Sequence, residues 1–170
     1  MFVSDCLDVN KEGHLTIGGC DTIELAAAFG TPLYVMDEAT IRTNCQKYTS
    51  SIEKFYHGHG LMLYASKAFC CKEMCRIMEN EGTGLDVVSS GELYTAMSAG
   101  FPGERICFHG NNKTIEEINY ALDCCVGRFI VDNLTELTLL NNLAHLRTKK
   151  ASVLLRFNPG IDAHTFPLYP

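Results

Sequence analysis

Leu61-Met62-Leu63-Tyr64-Ala65-Ser66-Lys67, followed after one helical stretch by Gly84-Leu85-Asp86-Val87-Val88-Ser89, decides the fold. Each segment is a short apolar run that ends in a polar residue at a helix start, as a buried strand feeding a helix does. The pattern recurs three more times. Residues 105–108 precede His109, residues 128–131 precede Asp132, and residues 152–155 precede Arg156. Counted from Lys67, these strand-end residues are 19, 23, 23 and 24 positions apart. Parallel neighbours need a crossover connection, and a strand-plus-helix unit of this length supplies one. The alternation establishes the α/β class. It also gathers the polar residues at the carboxyl ends of the strands, where ligands bind in α/β barrels and open α/β sheets alike.

The helix boundaries follow from capping chemistry. Residues 22–29 read as a short helix ending near Gly30, and Thr31-Pro32 opens an extended segment over 33–36. Asp37 is an N-cap candidate, since its carboxylate can accept the free amides of a first turn. Residues 38–55 then place Ile41, Cys45, Tyr48, Ile52 and Phe55 at three- and four-residue steps, the period of a long amphipathic helix. A further helix is expected directly after Lys67, running to Asn80 and Gly82. Ser89 with Glu92 and Thr114 with Glu117 have capping-box spacing, and Asn133 with Glu136 opens the helix after Asp132. Five strand units are visible where a closed barrel needs eight. The final stretch, 165–170, carries two prolines that fit neither a helix nor an inner strand, so the chain is expected to stop inside a domain. A self-contained five-strand open sheet is the alternative.

The 170 residues are 46% hydrophobic, enough for a sizeable core, and carry a formal net charge of -6. An acidic chain lacks the electrostatic footprint of a partner for nucleic acid or an anionic membrane. Its nine cysteines are odd in number and form no C-x-x-C pair, residues 1–10 have no basic character, and no apolar run reaches spanning length. These features point to reduced thiols in a cytoplasmic protein. Cys71 and Cys75 would share a helix face as small buried side chains. They are not read as a metal pair, because a structural zinc site needs four ligands. His57-Gly58-His59 reads as a turn, so no metal ligand set is assigned.

Lys67 at the end of an apolar strand would point into a partly dry pocket, where desolvation exposes the neutral, nucleophilic amine that Schiff-base chemistry requires. A solvated surface charge is the plainer reading of the residue alone. The words around it add more. Tyr64-Ala65-Ser66-Lys67-Ala68-Phe69 resembles the cofactor-lysine motif of the pyridoxal phosphate (PLP) decarboxylases that share the alanine-racemase fold. Gly84-Leu85-Asp86-Val87-Val88-Ser89-Ser90-Gly91-Glu92-Leu93 resembles their second strand and turn. His109-Gly110-Asn111-Asn112-Lys113-Thr114 and 156–165 resemble later strand ends, in the form found in members acting on diaminopimelate.

This resemblance implies the first part of a (β/α)8 TIM barrel of the PLP-binding type, over 37–170, preceded by a segment, 1–36, that contributes to a β-domain. It implies PLP held by Lys67 through a Schiff base, with Asp86, His109 and Arg156 as further cofactor-binding residues. The implied reaction is decarboxylation of meso-2,6-diaminopimelate to L-lysine and CO2, in a cytoplasmic homodimer whose partner is a small amino-acid substrate. The residues themselves leave alternatives open. Asp86 could be satisfied by backbone amides, Arg156 could form a structural ion pair, and His109 could be a structural histidine. Glu92 could serve as a helix cap, and Asp132 reads as a helix-entry residue. A decarboxylase of another basic amino acid, of the ornithine or arginine type, and a non-catalytic PLP-binding fragment are the rival functions. The family pattern lapses at 166–170, so the 170 residues alone are expected to be inactive and poorly soluble.

Overall fold

The computed structural model describes residues 4–161, which fall into two compact units dividing after Gly60. The motif portion at 162–165 and the tail at 166–170 lie outside the described residues.

The first unit opens with three short strands, β1 (Leu7–Val9), β2 (Leu15–Ile17) and β3 (Cys20–Asp21), paired antiparallel in that order. Ile17 pairs with Cys20, so Gly18-Gly19 is a two-residue hairpin loop. Both glycines have positive φ, 58° and 81°, as a primed turn demands. Helix α1 (Thr22–Phe29) follows, capped by the Asp21 carboxylate on the amides of Ile23 and Glu24. The same carboxylate accepts from Asn10 Nδ2 at 2.7 Å and contacts His14 Nδ1 at 2.8 Å, tying the sheet to the helix start. Helix α2 (Glu38–Tyr56) begins at Asp37, whose side chain accepts from the Thr40 amide as the sequence predicted.

The second unit is a parallel sheet with its crossover helices. The strands are β4 (Leu63–Ala65), β5 (Gly84–Val87), β6 (Ile106–Phe108), β7 (Arg128–Val131) and β8 (Val153–Leu155). Between them run α3 (Lys72–Asn80), α4 (Ser90–Ser98), α5 (Ile115–Asp123) and α6 (Leu134–Leu146). The spatial order is β4-β5-β6-β7-β8, with every pair parallel. An open doubly wound sheet reverses its strand order at a switch point, whereas a barrel adds each strand beside the last. The unbroken order is that of a (β/α) barrel segment.

Pleating sorts the side chains. Leu85, Val87, Ile106, Phe108, Phe129 and Val131 are buried, together with helix residues Met78, Leu93, Ala96, Ile118 and Leu140. The Phe108 and Phe129 rings meet at 6.3 Å, tilted by 58°. The alternate positions lie on the sheet's other face, where Ala65, Asp86 and Cys107 are register partners, as are Ile130 and Leu154. Burial pushes the Cys107 thiol up, with Asp86 adding to the effect and Arg128 opposing it. Those electrical neighbours fit a common face for all three residues.

One expected boundary is corrected. The helix predicted to follow Lys67 directly starts at Lys72, because Ser66–Ala68 forms a tight 3-10 turn and Phe69 is extended. The Cys71 sulfur then caps α3 by accepting from the Met74 amide at 3.4 Å. Cys75 is buried, as expected for a small core side chain, but Cys71 is a half-buried cap.

Candidate active site

The carboxyl rim of the sheet brings together the polar residues that end each strand. Asp86 lies in β5, one position before the strand's end. His109 directly follows β6, and its amide extends the ladder by donating to the Val87 carbonyl at 2.8 Å. Arg156 directly follows β8 and donates its amide to the Val131 carbonyl at 2.8 Å. Asp86 and His109 are therefore two-residue steps on from the face of Gly84 and Cys107. Asp132 and Arg156 stand in the same relation to Ile130 and Leu154.

Two charge contacts form on this rim. His109 Nδ1 lies 3.6 Å from Asp86 Oδ2, too far for a hydrogen bond but close enough for attraction once the ring is protonated. Arg156 Nη1 donates to Asp132 Oδ1 at 2.9 Å. The ion pair that was one reading of Arg156 is thus present, and its partner is the helix-entry aspartate. The Arg156 side chain is still 57% exposed.

Lys67 occupies the turn after β4, and its amine makes no hydrogen bond or ion pair among the described residues. The expectation that it points into a partly dry pocket is not met there, because the side chain is exposed. Within this unit the crossover helices α3, α4 and α6 pack against β5 and β7. Tyr64 braces the turn from outside, its hydroxyl donating to the Phe69 carbonyl at 3.1 Å. Burial pushes the Tyr64 phenol up. Nothing in the sequence had marked Tyr64 for that role.

Glu92 serves as a cap. Its Oε2 accepts from the Val88 amide at 2.8 Å, and its own amide donates to Ser89 Oγ at 3.2 Å. Glu117 forms the full capping box with Thr114 and reaches further, accepting from the Ser90 amide at 3.1 Å. Burial alone would push the Glu117 carboxyl up, but the Thr114 and Ser90 amides hold it below the usual carboxylate range.

A second lysine at this rim behaves in the opposite way to Lys67. Lys113 is buried, its side chain 2% exposed, and Nζ is bound at 2.7 Å by Gly110 O, Ile130 O and Glu136 Oε1. All three of its protons are engaged, so it has no capacity left for a ligand. Sequence reasoning missed Lys113, because neither its type nor its loop position signals burial.

A cofactor carrying an aldehyde needs a free primary amine with polar groups still open nearby, and this rim provides both. The Lys67 amine is unengaged, and two buried oxygens, Ser66 Oγ on the preceding residue and Asp86 Oδ1 on the register partner of Ala65, lack a hydrogen-bond partner among the described residues. Buried oxygens seldom go unpaired unless something else completes them.

A parallel barrel segment with a free lysine at its first strand end and polar residues along the rim has the form of a pyridoxal-binding domain. Residues 38–169 match the family model for the pyridoxal-binding domain of pyridoxal-dependent decarboxylases, and the chain belongs to that family. It is similar in sequence to several diaminopimelate decarboxylases. The chain is 48% identical over 168 residues to a diaminopimelate decarboxylase of Bacillus subtilis (strain 168), covering 97% of this chain and 37% of that protein. It is 46% identical over 168 residues to one from Bacillus methanolicus, with 97% and 38% covered. The fold superposes on a diaminopimelate decarboxylase of M. jannaschii crystallised with L-lysine, at a TM-score of 0.86 and 38% identity, covering 95% of this chain and 38% of that one. The chain therefore spans a little over a third of the length of the relatives it matches.

Proposed function

We propose that this chain supplies the lysine side of a PLP-dependent decarboxylase that converts meso-2,6-diaminopimelate to L-lysine and CO2. The observation that carries the reading is Lys67, whose amine is unengaged among the described residues, in the turn after β4 where Ser66 Oγ and Asp86 Oδ1 are buried without a partner among those residues. Lys67 would hold the cofactor covalently, and Asp86, His109 and Arg156 would complete its surroundings. Bound there, PLP supplies an electron sink for the electrons left behind by departing CO2.

The chain's own residues do the rest. The tight turn at 66–68, braced by Tyr64, fixes the direction from which Lys67 approaches. Once free of the cofactor, the Lys67 amine can give a proton to the substrate carbon. The Asp86 carboxylate and the His109 ring, 3.6 Å apart, would orient polar groups at the rim, and the Asp132–Arg156 ion pair would do so farther along the sheet. The identity with diaminopimelate decarboxylases over nearly the whole chain supports the substrate. The resemblance also supports a cytoplasmic homodimer. The net charge of -6 argues against nucleic acid or an anionic membrane as partner, and no described helix is long and apolar enough to cross a membrane.

The test is CO2 release from meso-diaminopimelate, with ornithine and arginine as competitors. It is run on the longest polypeptide the gene encodes and on the 170 residues alone. Release from diaminopimelate by the longer protein, abolished in Lys67→Ala, is the expected result, and the 170 residues alone should release none. Preference for ornithine or arginine would overturn the substrate, and release by Lys67→Ala would overturn the mechanism.

A further inference from the structure

Helices α4, α5 and α6 each place a glutamate on the backbone of a strand-end loop, but one of these glutamates also binds a buried cation. Glu92 accepts the Val88 amide, and Glu117 accepts the Thr114 and Ser90 amides. Glu136, in α6, accepts from the Asp132 amide at 3.0 Å through Oε2 and binds the buried Lys113 amine through Oε1. Both side chains are buried, 2% and 7% exposed. A buried ion pair stabilises a fold no better than a well-packed apolar pair of the same volume, so stability alone is a poor reason for it.

Its bonds suggest a different reason. Lys113 Nζ holds the carbonyl of Gly110, the residue after His109, and that of Ile130, two residues before Asp132. Gly110 has a φ of 119°, so the peptide after His109 is held in a conformation that side-chain-bearing residues rarely adopt. Glu136 holds the Asp132 amide itself. One ion pair thus pins the backbone beside both rim contacts, Asp86 with His109 and Asp132 with Arg156.

We propose that Lys113 and Glu136 are positioning residues for the candidate site, fixing His109 against Asp86 and Asp132 against Arg156. The proposal rests on reading the rim as the cofactor and substrate site, but its test needs no cofactor. Side-chain signals of His109 and Arg156 are followed by NMR in the isotopically labelled longest polypeptide the gene encodes, without added PLP, with His14 and His57 as internal controls. The double variant Lys113→Met/Glu136→Leu removes both charges and keeps apolar volume, so it should retain a cooperative melt. In it, the His109 ring and Arg156 guanidinium signals should shift while His14 and His57 stay in place. Glu136→Gln separates the two arms. It leaves Nζ on the Gly110 carbonyl but cannot accept from both Lys113 and the Asp132 amide, so Arg156 should shift and His109 should not. A folded double variant with His109 and Arg156 at their original positions would reduce the pair to a structural one and overturn the proposal. Should the double variant lose its cooperative melt, Glu136→Gln decides, and an unmoved Arg156 signal there overturns the proposal. Failure of the chain to take up PLP would count against the proposed function and leave these signals as informative as before.

Discussion

Two lysines at one rim should respond to the same substitution in opposite ways. Lys113→Met deletes an amine held by three acceptors at 2.7 Å and strands the Glu136 carboxylate in the interior without its cation. Breaking a buried pair from one side costs about 3–5 kcal/mol, a large share of the roughly 5–15 kcal/mol that holds a domain together. Lys67→Met removes an exposed amine with no partner among the described residues, and such surface changes stay within about 0.5 kcal/mol. Urea denaturation followed by far-UV circular dichroism should therefore move the midpoint strongly for Lys113→Met and hardly at all for Lys67→Met, with similar slopes. Cofactor uptake should fail in Lys67→Met, which is the mark of a residue kept for chemistry. Equal stability losses in the two variants would refute the assignment of one lysine to structure and the other to function.

Other consequences can be checked separately. Because the folded Glu117 carboxyl is held below its unfolded value, its contribution is present above about pH 4.3 and is lost as pH falls through the folded pKa. The stability gap between wild type and Glu117→Gln, measured by denaturation across pH 2–7 (roughly the range that brackets carboxylate titration), should close at the acid end. Burial pushes the Cys75 thiol up to about 12, so iodoacetamide at neutral pH should label exposed Cys20 and Cys125 well before Cys75, as mass spectrometry of peptides would show. Asp132→Asn weakens an ion pair whose arginine is largely exposed, and should change stability by less than about 1 kcal/mol in the same urea assay. Gly127→Ala would drive a Cβ into the Glu104 carbonyl where the two loops cross, so a clear drop in Tm is expected.

Much of this arrangement was legible because it depends on local patterns. Asp37, Ser89, Thr114 and Asn133 cap their helices as their spacing implied, since a capping bond needs only residues three apart. The strand-end positions of Asp86, His109 and Arg156 followed from the repeat length. Strand order did not, because spacing alone fits a barrel and an open sheet equally well, and only the pairing of β4 through β8 in sequence separates them. The turn at 66–68 was hidden, since Lys67-Ala68-Phe69 has ordinary helix propensity and the break comes from an extended Phe69 and a cysteine cap. Lys113 was hidden for a tertiary reason. Its burial is set by Ile130 and Glu136, 17 and 23 residues away, and no local pattern reports such a contact.

The most direct test of the central claim is where PLP attaches. The chain is incubated with PLP, the adduct is fixed with borohydride, and the digested peptides are mapped by mass spectrometry. The account predicts the cofactor's mass on the peptide carrying Lys67, none on Lys113, and loss of that label in Lys67→Ala. Label spread over exposed lysines such as Lys47 and Lys72 with no preference for Lys67 would contradict it.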